Sequence, residues 1–294
     1  MALADDFDGF LIDLDGVVWI GREPVVGSPQ TLAALLAAGK RIVFVTNNPA
    51  KFPAEYAERL RGFGVEVGES QIVTAGMVAA RLAREAAGPD GSAFVVSRAT
   101  LKQMVAATGI TVLEGEAGRE ASVVVVSGHR DFDYAQLLTA KRALDAGAAL
   151  IGTSRDPTMP MPGGEWPGTG AILAAVETAS GRVAEIAGKP ESHLFEIALA
   201  ALDLRGSKST NDVGTEPRKP PVALRGSEPT DDVDKEPRNR RVAMVGDRLS
   251  SDIEGGQRAG LATILVRSGT DSEDAAGAEI RPDHVVDDLA ALLR

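Results

Sequence analysis

Two aspartates follow a short apolar run near the start of the chain. Asp13 and Asp15 lie in FLIDLDGVVW. Residues i and i+2 of an extended segment point the same way, so both carboxylates can reach one site. Adjacent carboxylates repel unless a cation or a shared proton intervenes, and Mg²⁺ suits one or two carboxylates together with a substrate phosphate. The pair therefore indicates a divalent-cation site, although solvated acidic turns and sugar-nucleotide enzymes share this spacing.

Polar side chains also follow two later apolar runs. Thr46, Asn47 and Asn48 offer hydroxyl, amide and backbone N–H groups that can bind phosphate oxygens. Their alternative role is to cap the helical segment that starts near Pro53. Lys189, in AGKP, lies in neither a charged run nor a polar helix face. It is a candidate fixed positive charge for a phosphoryl group, with an ordinary surface lysine as the alternative.

A further acidic pair follows the apolar run near residue 245. RRVAMVGDRLSSD places Asp247 directly after Gly246, and Asp252 follows five residues later. Asp247 would complete an acidic metal site. Asp252 could orient Lys189 or support the residues that hold the metal.

The elements that must position these groups alternate along the chain. Short Val- and Ile-rich runs are typical of buried parallel strands, and amphipathic stretches between them predict helices, so the fold class is α/β with a parallel sheet. In such sheets the ligand site lies beyond the carboxyl ends of the strands. The predicted strands are Phe10–Ile12, Arg41–Val45, Ala93–Val96, Val123–Val126, Ala149–Ile151, Ala184–Ile186, Val242–Val245 and Thr263–Val266.

Composition excludes several classes of protein. The 294 residues include 31 basic and 42 acidic side chains, three histidines and no cysteine. The absent cysteines exclude disulfides, thiolate metal sites and cysteine nucleophiles. A net charge of −11 argues against nucleic acid as a partner, and no apolar run is long enough to span a membrane. Because the first residues are acidic where a signal peptide is basic, we expect a soluble cytoplasmic protein.

One segment breaks the alternation of strands and helices. Residues 204–223 and 224–243 align without a gap at 12 of 20 positions, which is a tandem duplication. Between 204 and 240 the segment has five prolines, no aromatic residue and charges of both signs. Such a segment buries too little apolar surface to offset its chain entropy. We expect a mobile insertion loop, with a lid or a partner-docking flap as the alternative.

The series DLDGVVW, VTNN, GKP and GDRLSSD resembles the four motifs of the haloacid dehalogenase (HAD) superfamily, in the order they take there. The resemblance implies that Asp13 attacks phosphorus and forms an aspartyl-phosphate. It implies that Asp15 protonates the leaving group and then activates water, which favours a phosphatase over a dehalogenase. Thr46 and Lys189 would hold the phosphoryl oxygens. Asp13, the backbone carbonyl of Asp15 and Asp247 would hold Mg²⁺.

The spacing of the motifs indicates the branch of the superfamily. About 30 residues separate the first two motifs, whereas about 140 separate the second from the third. A Rossmann-like core formed by 1–78 and 184–294 would therefore carry an α/β cap domain, 79–183, between the second and third motifs. VVSGHRDFDYAQLLTA, TSRDPTMP and PGTGAILAAVETASGR resemble the cap of the class IIA, nitrophenylphosphatase-like phosphatases.

The same resemblance narrows the substrate to a small phosphorylated metabolite. Glycerol 3-phosphate is favoured, with phosphoglycolate, sugar phosphates and nucleotides as alternatives. By the same resemblance, the candidate selector of the substrate is the cap loop from Thr153 to Thr169, which we call the selector loop. Within it Met159 stands where pyridoxal-phosphate phosphatases carry a histidine, which counts against that substrate. A phosphotransferase, a non-enzymatic scaffold and a homodimer are left open. Trp19 is expected to pack between core and cap.

Overall fold

The computed structural model describes residues 2–161, 164–202, 241–271 and 279–294, so most of the duplicated segment lies outside the described residues. Its strands are Gly9–Asp13 (β1), Trp19–Ile20 (β2), Glu23–Pro24 (β3), Arg41–Thr46 (β4), Ile72–Thr74 (β5), Ser92–Val96 (β6), Thr111–Leu113 (β7), Val123–Val126 (β8), Ala149–Gly152 (β9), Thr158–Met161 (β10), Gly164–Pro167 (β11), Glu185–Ile186 (β12), Val242–Gly246 (β13), Ala262–Val266 (β14) and His284–Val286 (β15). Its α-helices are Ser28–Ala37 (α1), Pro53–Gly62 (α2), Ala75–Ala87 (α3), Ala99–Ala107 (α4), Tyr134–Asp145 (α5), Thr169–Ser180 (α6), Ser192–Leu202 (α7) and Glu254–Arg258 (α8).

Six of the described strands form a parallel sheet in the order β15-β14-β13-β1-β4-β5, which we call the core sheet. Strand β1 lies at its centre, with Gly9 opposite Val242 on one side and Arg41 on the other. Every residue of β1 and β13 is buried, as expected for a sheet covered on both faces. The predicted Rossmann-like α/β class is confirmed.

A second parallel sheet lies between β5 and α7 along the chain. Its order is β12-β9-β8-β6-β7, and we call it the cap sheet. Helix α3 covers one face, where its buried alanines and Val78 join Val95 and Val125 in one apolar cluster. Helices α5 and α6 pack in a separate cluster with Val124 and Leu173.

The cap sheet shifts one predicted boundary. The sequence prediction assigned the run Ala184–Ile186 to the core, but β12 pairs with β9, and Ile186 is buried in the same cluster as Leu173. Helix α3 likewise begins before residue 79. We therefore propose that the cap unit extends from about residue 75 to Ile186.

Some elements carry no clear sequence signal. The segment after β9 was expected to be a selector loop, and within it β10 and β11 form an antiparallel hairpin. Strands β7 and β15 lie at sheet edges, and none of their residues is buried. None of the described helices is long and apolar enough to cross a membrane.

Candidate active site

A lysine held between two buried carboxylates lies at the centre of the site. Lys189 Nζ donates hydrogen bonds to Asp13 Oδ1 and to Asp252 Oδ1, both at 2.5 Å. Asp13 is the last residue of β1, and Asp252 follows β13, so neighbouring strands deliver both acids. The three side chains are 2%, 9% and 1% exposed for Lys189, Asp13 and Asp252.

Burial and neighbouring charges act in opposite directions on this group. Burial alone would lower the pKa of Lys189, but the carboxylates of Asp13 and Asp252 more than offset it, and the net direction is upward. Burial raises the pKa of Asp13 well above its ordinary value. The Lys189 ammonium lowers this pKa, and the neighbouring Asp252 carboxylate raises it, but burial is the largest contribution. The lysine is therefore a permanent cation beside the Asp13 carboxyl group.

Asp247 adds a third buried carboxylate. Its Oδ2 accepts a hydrogen bond from Thr270 N at 2.8 Å. Burial raises the pKa of Asp247 to about 6, with repulsion from Asp252 as the next contribution. A Cβ on Gly16, whose φ is +88°, would collide with this carboxylate, so the turn after β1 requires glycine on both counts.

The acidic cluster fits a divalent cation. Carboxylate oxygens of Asp13, Asp247 and Asp252 lie within 4.8 Å of one another. One lysine faces three buried acids, and Asp15 adds a fourth carboxylate to the lining of the same cavity. This excess of negative charge, carried by hard oxygen ligands, matches the donors that Mg²⁺ prefers.

Asp15 is held by two donors. Its Oδ1 accepts from Trp19 Nε1 at 2.9 Å, and its Oδ2 lies 3.4 Å from Asn48 Nδ2. Trp19 is fully buried with residues of the core sheet. The expectation that Trp19 packs between core and cap is therefore wrong, because α2 supplies its neighbours through Tyr56 and Arg59.

The residues after β4 organise the neighbouring loop. Thr46 is buried, and its hydroxyl accepts from Asn48 N at 3.0 Å. The Asn47 side chain accepts from Lys189 N at 2.8 Å and donates to Lys189 O at 3.1 Å and to Asp156 Oδ2 at 2.9 Å. Because both ends of the Asn47 amide are engaged, its side chain positions Lys189, and a contact between Asn47 or Asn48 and phosphate stays a prediction.

The acidic cluster opens into a cavity of about 590 Å³ between the two sheets. Residues after cap-sheet strands, including Ser127, Asp156 and Met159, line it together with Lys189 and Arg248. Sequence reasoning missed Asp156 and Arg248 as site residues. Arg248 directly follows Asp247, and this position could have indicated that it lies at the site. Asp156 had no such indication in the sequence beyond its place in the selector loop.

Buried acids lie at the strand ends of a parallel core sheet, a lysine from the segment after β12 lies between two of them, and a second α/β unit covers the cavity. This arrangement is that of a phosphoryl-transfer hydrolase. Two family models match: haloacid dehalogenase-like hydrolase over residues 10–111, and HAD-hydrolase-like over residues 186–292. The chain belongs to the haloacid dehalogenase-like hydrolase superfamily.

Relatives of the chain include a phosphatase. Glycerol-3-phosphate phosphatase from Gallus gallus is 35% identical over 69% of this chain and 72% of its own length. Chronophin from Homo sapiens is 39% identical over 64% of this chain and 68% of its own length. The chain is therefore a phosphomonoester hydrolase of this superfamily.

Solved structures agree with the fold. A glycerol phosphate phosphatase from Mycobacterium tuberculosis in complex with magnesium is 31% identical, with a TM-score of 0.79 over 100% of this chain and 78% of that one. A p-nitrophenyl phosphatase from Archaeoglobus fulgidus is 28% identical, with a TM-score of 0.79 over 98% of both chains. The predicted class IIA type is confirmed by these neighbours.

Proposed function

We propose that the chain is a Mg²⁺-dependent phosphatase that hydrolyses small phosphomonoesters, with glycerol 3-phosphate as the preferred substrate, through an aspartyl-phosphate on Asp13. One observation carries the proposal: Lys189 is held at 2.5 Å from both Asp13 and Asp252 at the floor of a cavity of about 590 Å³. A fixed ammonium beside a nucleophilic carboxylate suits the transfer of an anionic phosphoryl group.

In the first half-reaction an oxygen of Asp13 attacks phosphorus as the bond to the leaving oxygen breaks. Asp15 gives its proton to that oxygen, so the product alcohol leaves neutral. Lys189 and the Thr46 hydroxyl hold the phosphoryl oxygens during the transfer. Asp252 keeps Lys189 in place through its own hydrogen bond to the ammonium.

In the second half-reaction Asp15, now a carboxylate, removes a proton from water. The water oxygen attacks phosphorus, the bond to Asp13 breaks, and inorganic phosphate leaves. Asp15 is protonated again and Asp13 is free, so the enzyme returns to its starting state.

Asp13, the backbone carbonyl of Asp15 and Asp247 would hold Mg²⁺ in this scheme. The ion supplies charge neutralisation on the phosphoryl oxygens when bound. The buried acidic cluster supports this assignment, because its three carboxylates repel one another and Lys189 supplies only one positive charge among them.

Two relatives whose names specify glycerol 3-phosphate support that compound as the substrate, and one structural neighbour is named as a glycerol phosphate phosphatase. Chronophin is about as similar in sequence, so the cap residues of this chain must decide the preference. The cavity volume fits a small metabolite.

Asp13→Asn tests the proposed function. Phosphate release from glycerol 3-phosphate with Mg²⁺ should fall by about 10⁴-fold or more, because the covalent route loses its nucleophile. Asp145→Asn, in the exposed pair with Lys141 on α5, is the matched control and should keep full activity.

Unchanged turnover in Asp13→Asn would refute the aspartyl-phosphate route. A panel of glycerol phosphate, phosphoglycolate, pyridoxal phosphate, sugar phosphates and nucleotides decides the substrate by kcat/KM. Recovery of a phosphorylated acceptor in place of free phosphate would show a phosphotransferase instead.

A further inference from the structure

Trp19 places its one polar atom against Asp15. The indole Nε1–H donates to Asp15 Oδ1 at 2.9 Å, and Trp19 is fully buried. The backbone ties the same two segments together, because Gly16 N donates to Trp19 O at 2.7 Å. A buried indole finds a hydrogen-bond partner in most proteins, but here the partner is a carboxylate in the lining of the catalytic cavity.

The indole is itself held on two sides. Its ring stacks on Tyr56, with centroids 6.2 Å apart and an interplanar angle of 4°. The Arg59 guanidinium lies 4.0 Å from the centroid of the Trp19 ring and donates to Gly21 O at 2.7 Å. The Tyr56 hydroxyl donates to Asn48 O at 2.9 Å, so α2 positions both side chains that donate to Asp15.

We propose that Trp19 is a positioning residue for the proton transfers of Asp15. This inference rests on the proposed function. The indole N–H donates to Oδ1 at 2.9 Å, whereas Asn48 Nδ2 makes only the longer, 3.4 Å contact with Oδ2. Oδ2 is therefore the atom that gives its proton to the leaving oxygen and later takes one from water. Trp19 does not touch the substrate in this scheme; it limits the rotation of the Asp15 carboxyl and stabilises the carboxylate that remains after the first transfer.

The dependence of kcat/KM on the leaving group of the substrate tests this role of Trp19. p-Nitrophenyl phosphate releases a phenolate that needs little protonation. Glycerol 3-phosphate depends on the acid, because without a proton its leaving group would be a strongly basic alkoxide. In Trp19→Phe, kcat/KM for glycerol 3-phosphate should fall about tenfold more than kcat/KM for p-nitrophenyl phosphate, because general acid catalysis contributes about 10²–10⁴-fold and is only partly lost. The ratio kcat/KM reports the first phosphoryl transfer and not the shared hydrolysis of the intermediate.

Two variants calibrate the measurement. Phe63→Leu changes the packing beside the indole, where the ring centroids are 6.3 Å apart, without touching Asp15. It should affect both substrates equally. Asp15→Asn should show the largest difference in the loss of kcat/KM between the two substrates. If it shows no difference, Asp15 is not the general acid, and the proposed function is contradicted independently of Trp19.

An equal loss on both substrates in Trp19→Phe, alongside a selective loss in Asp15→Asn, would overturn the positioning role. If Trp19→Phe does not fold, Arg59→Met takes its place. That variant removes the cation packed on the ring and the bond to Gly21 O. Arg59→Met should also lower kcat/KM more for glycerol 3-phosphate than for p-nitrophenyl phosphate, by a smaller factor. Equal losses on the two substrates in Arg59→Met would also overturn the proposal.

Discussion

The two sides of the cavity use charge in opposite ways. On the core side, ionised groups are buried and contact each other directly, as in Lys189 between Asp13 and Asp252. On the cap side, the ion pairs lie at the surface, and Lys102–Glu114 is an example with side chains 28% and 64% exposed. Of the described cap-side residues that line the cavity, Asp156 alone is ionisable.

In the proposed function, this difference separates the groups that react from the groups that select the substrate. Buried charges on the core side act in a low-dielectric setting, where each is strong and the loss of one leaves the others uncompensated. The neutral lining on the cap side, which includes Ser127, Thr158 and Met159, can change shape and polarity without disturbing the charge balance. Substitutions on the two sides should therefore differ in size and in kind.

Of the three substitutions that compare the two sides, Lys189→Met should give the largest effect. It leaves two buried carboxylates unpaired, so the free energy of unfolding should fall by about 3–5 kcal/mol in urea without divalent cations. Phosphatase activity should fall by about 10²–10³-fold, as for other lost stabilising donors. Lys102→Met, the matched change in the cap, should cost about 1 kcal/mol or less and leave kcat intact. Equal costs for the two lysines would remove the distinction between the two sides.

Asp156→Ala tests the hydrogen bond from Asn47 to Asp156, which joins the core side to the cap side. The Asp156 carboxylate accepts a hydrogen bond from the Asn47 amide, which in turn accepts one from the backbone N–H of Lys189. Removing the Asp156 carboxylate should lower kcat by about tenfold, because one charge-assisted hydrogen bond that positions Lys189 is lost. Asp156→Asn keeps an acceptor oxygen and should restore most of the activity. Comparing kcat for Asp156→Ala, Asp156→Asn and the unchanged enzyme provides the measurement. If both variants match the unchanged enzyme, the cap does not support Lys189 by this route.

Arg155→Ala should give the smallest effect. Arg155 binds Glu177 at 2.9 and 2.8 Å near the protein surface, and its hydrogen bond is the main reason that the pKa of Glu177 is lowered. We expect a loss of about 1 kcal/mol or less at neutral pH, discounted for solvent screening, with normal kcat.

The sign of the pH dependence follows from the direction of the Glu177 shift. A carboxyl with a lowered folded-state pKa stabilises the fold above its ordinary pKa, and this stabilisation is lost as the pH falls through the lowered value. The difference between Arg155→Ala and the unchanged protein should therefore shrink in acidic urea titrations. A difference that grows on acidification would contradict the assigned partner.

Sequence patterns predicted the elements that are buried and regular. Strands β8 and β13 are continuous apolar runs, and both were placed within one residue of their observed bounds. Strand β15 was missed because it is short and its His284 and Val285 are exposed. The hairpin β10–β11 was missed because β11 is exposed throughout and contains Pro167, so neither burial nor alternation marks it.

The sequence by itself determined which groups could react. The order of Asp13, Thr46, Lys189 and Asp247 after apolar runs predicted an acidic phosphoryl site, because parallel strands bring their carboxyl ends to one edge. Only the tertiary structure decided the partners of each group. Asn47 meets Asp156 across 109 positions of the chain, and the indole of Trp19 meets Asp15 through a turn whose side-chain direction no spacing specifies. The positions of the buried strands along the chain follow from local apolar runs, whereas these contacts depend on how two sheets and a helix face one another.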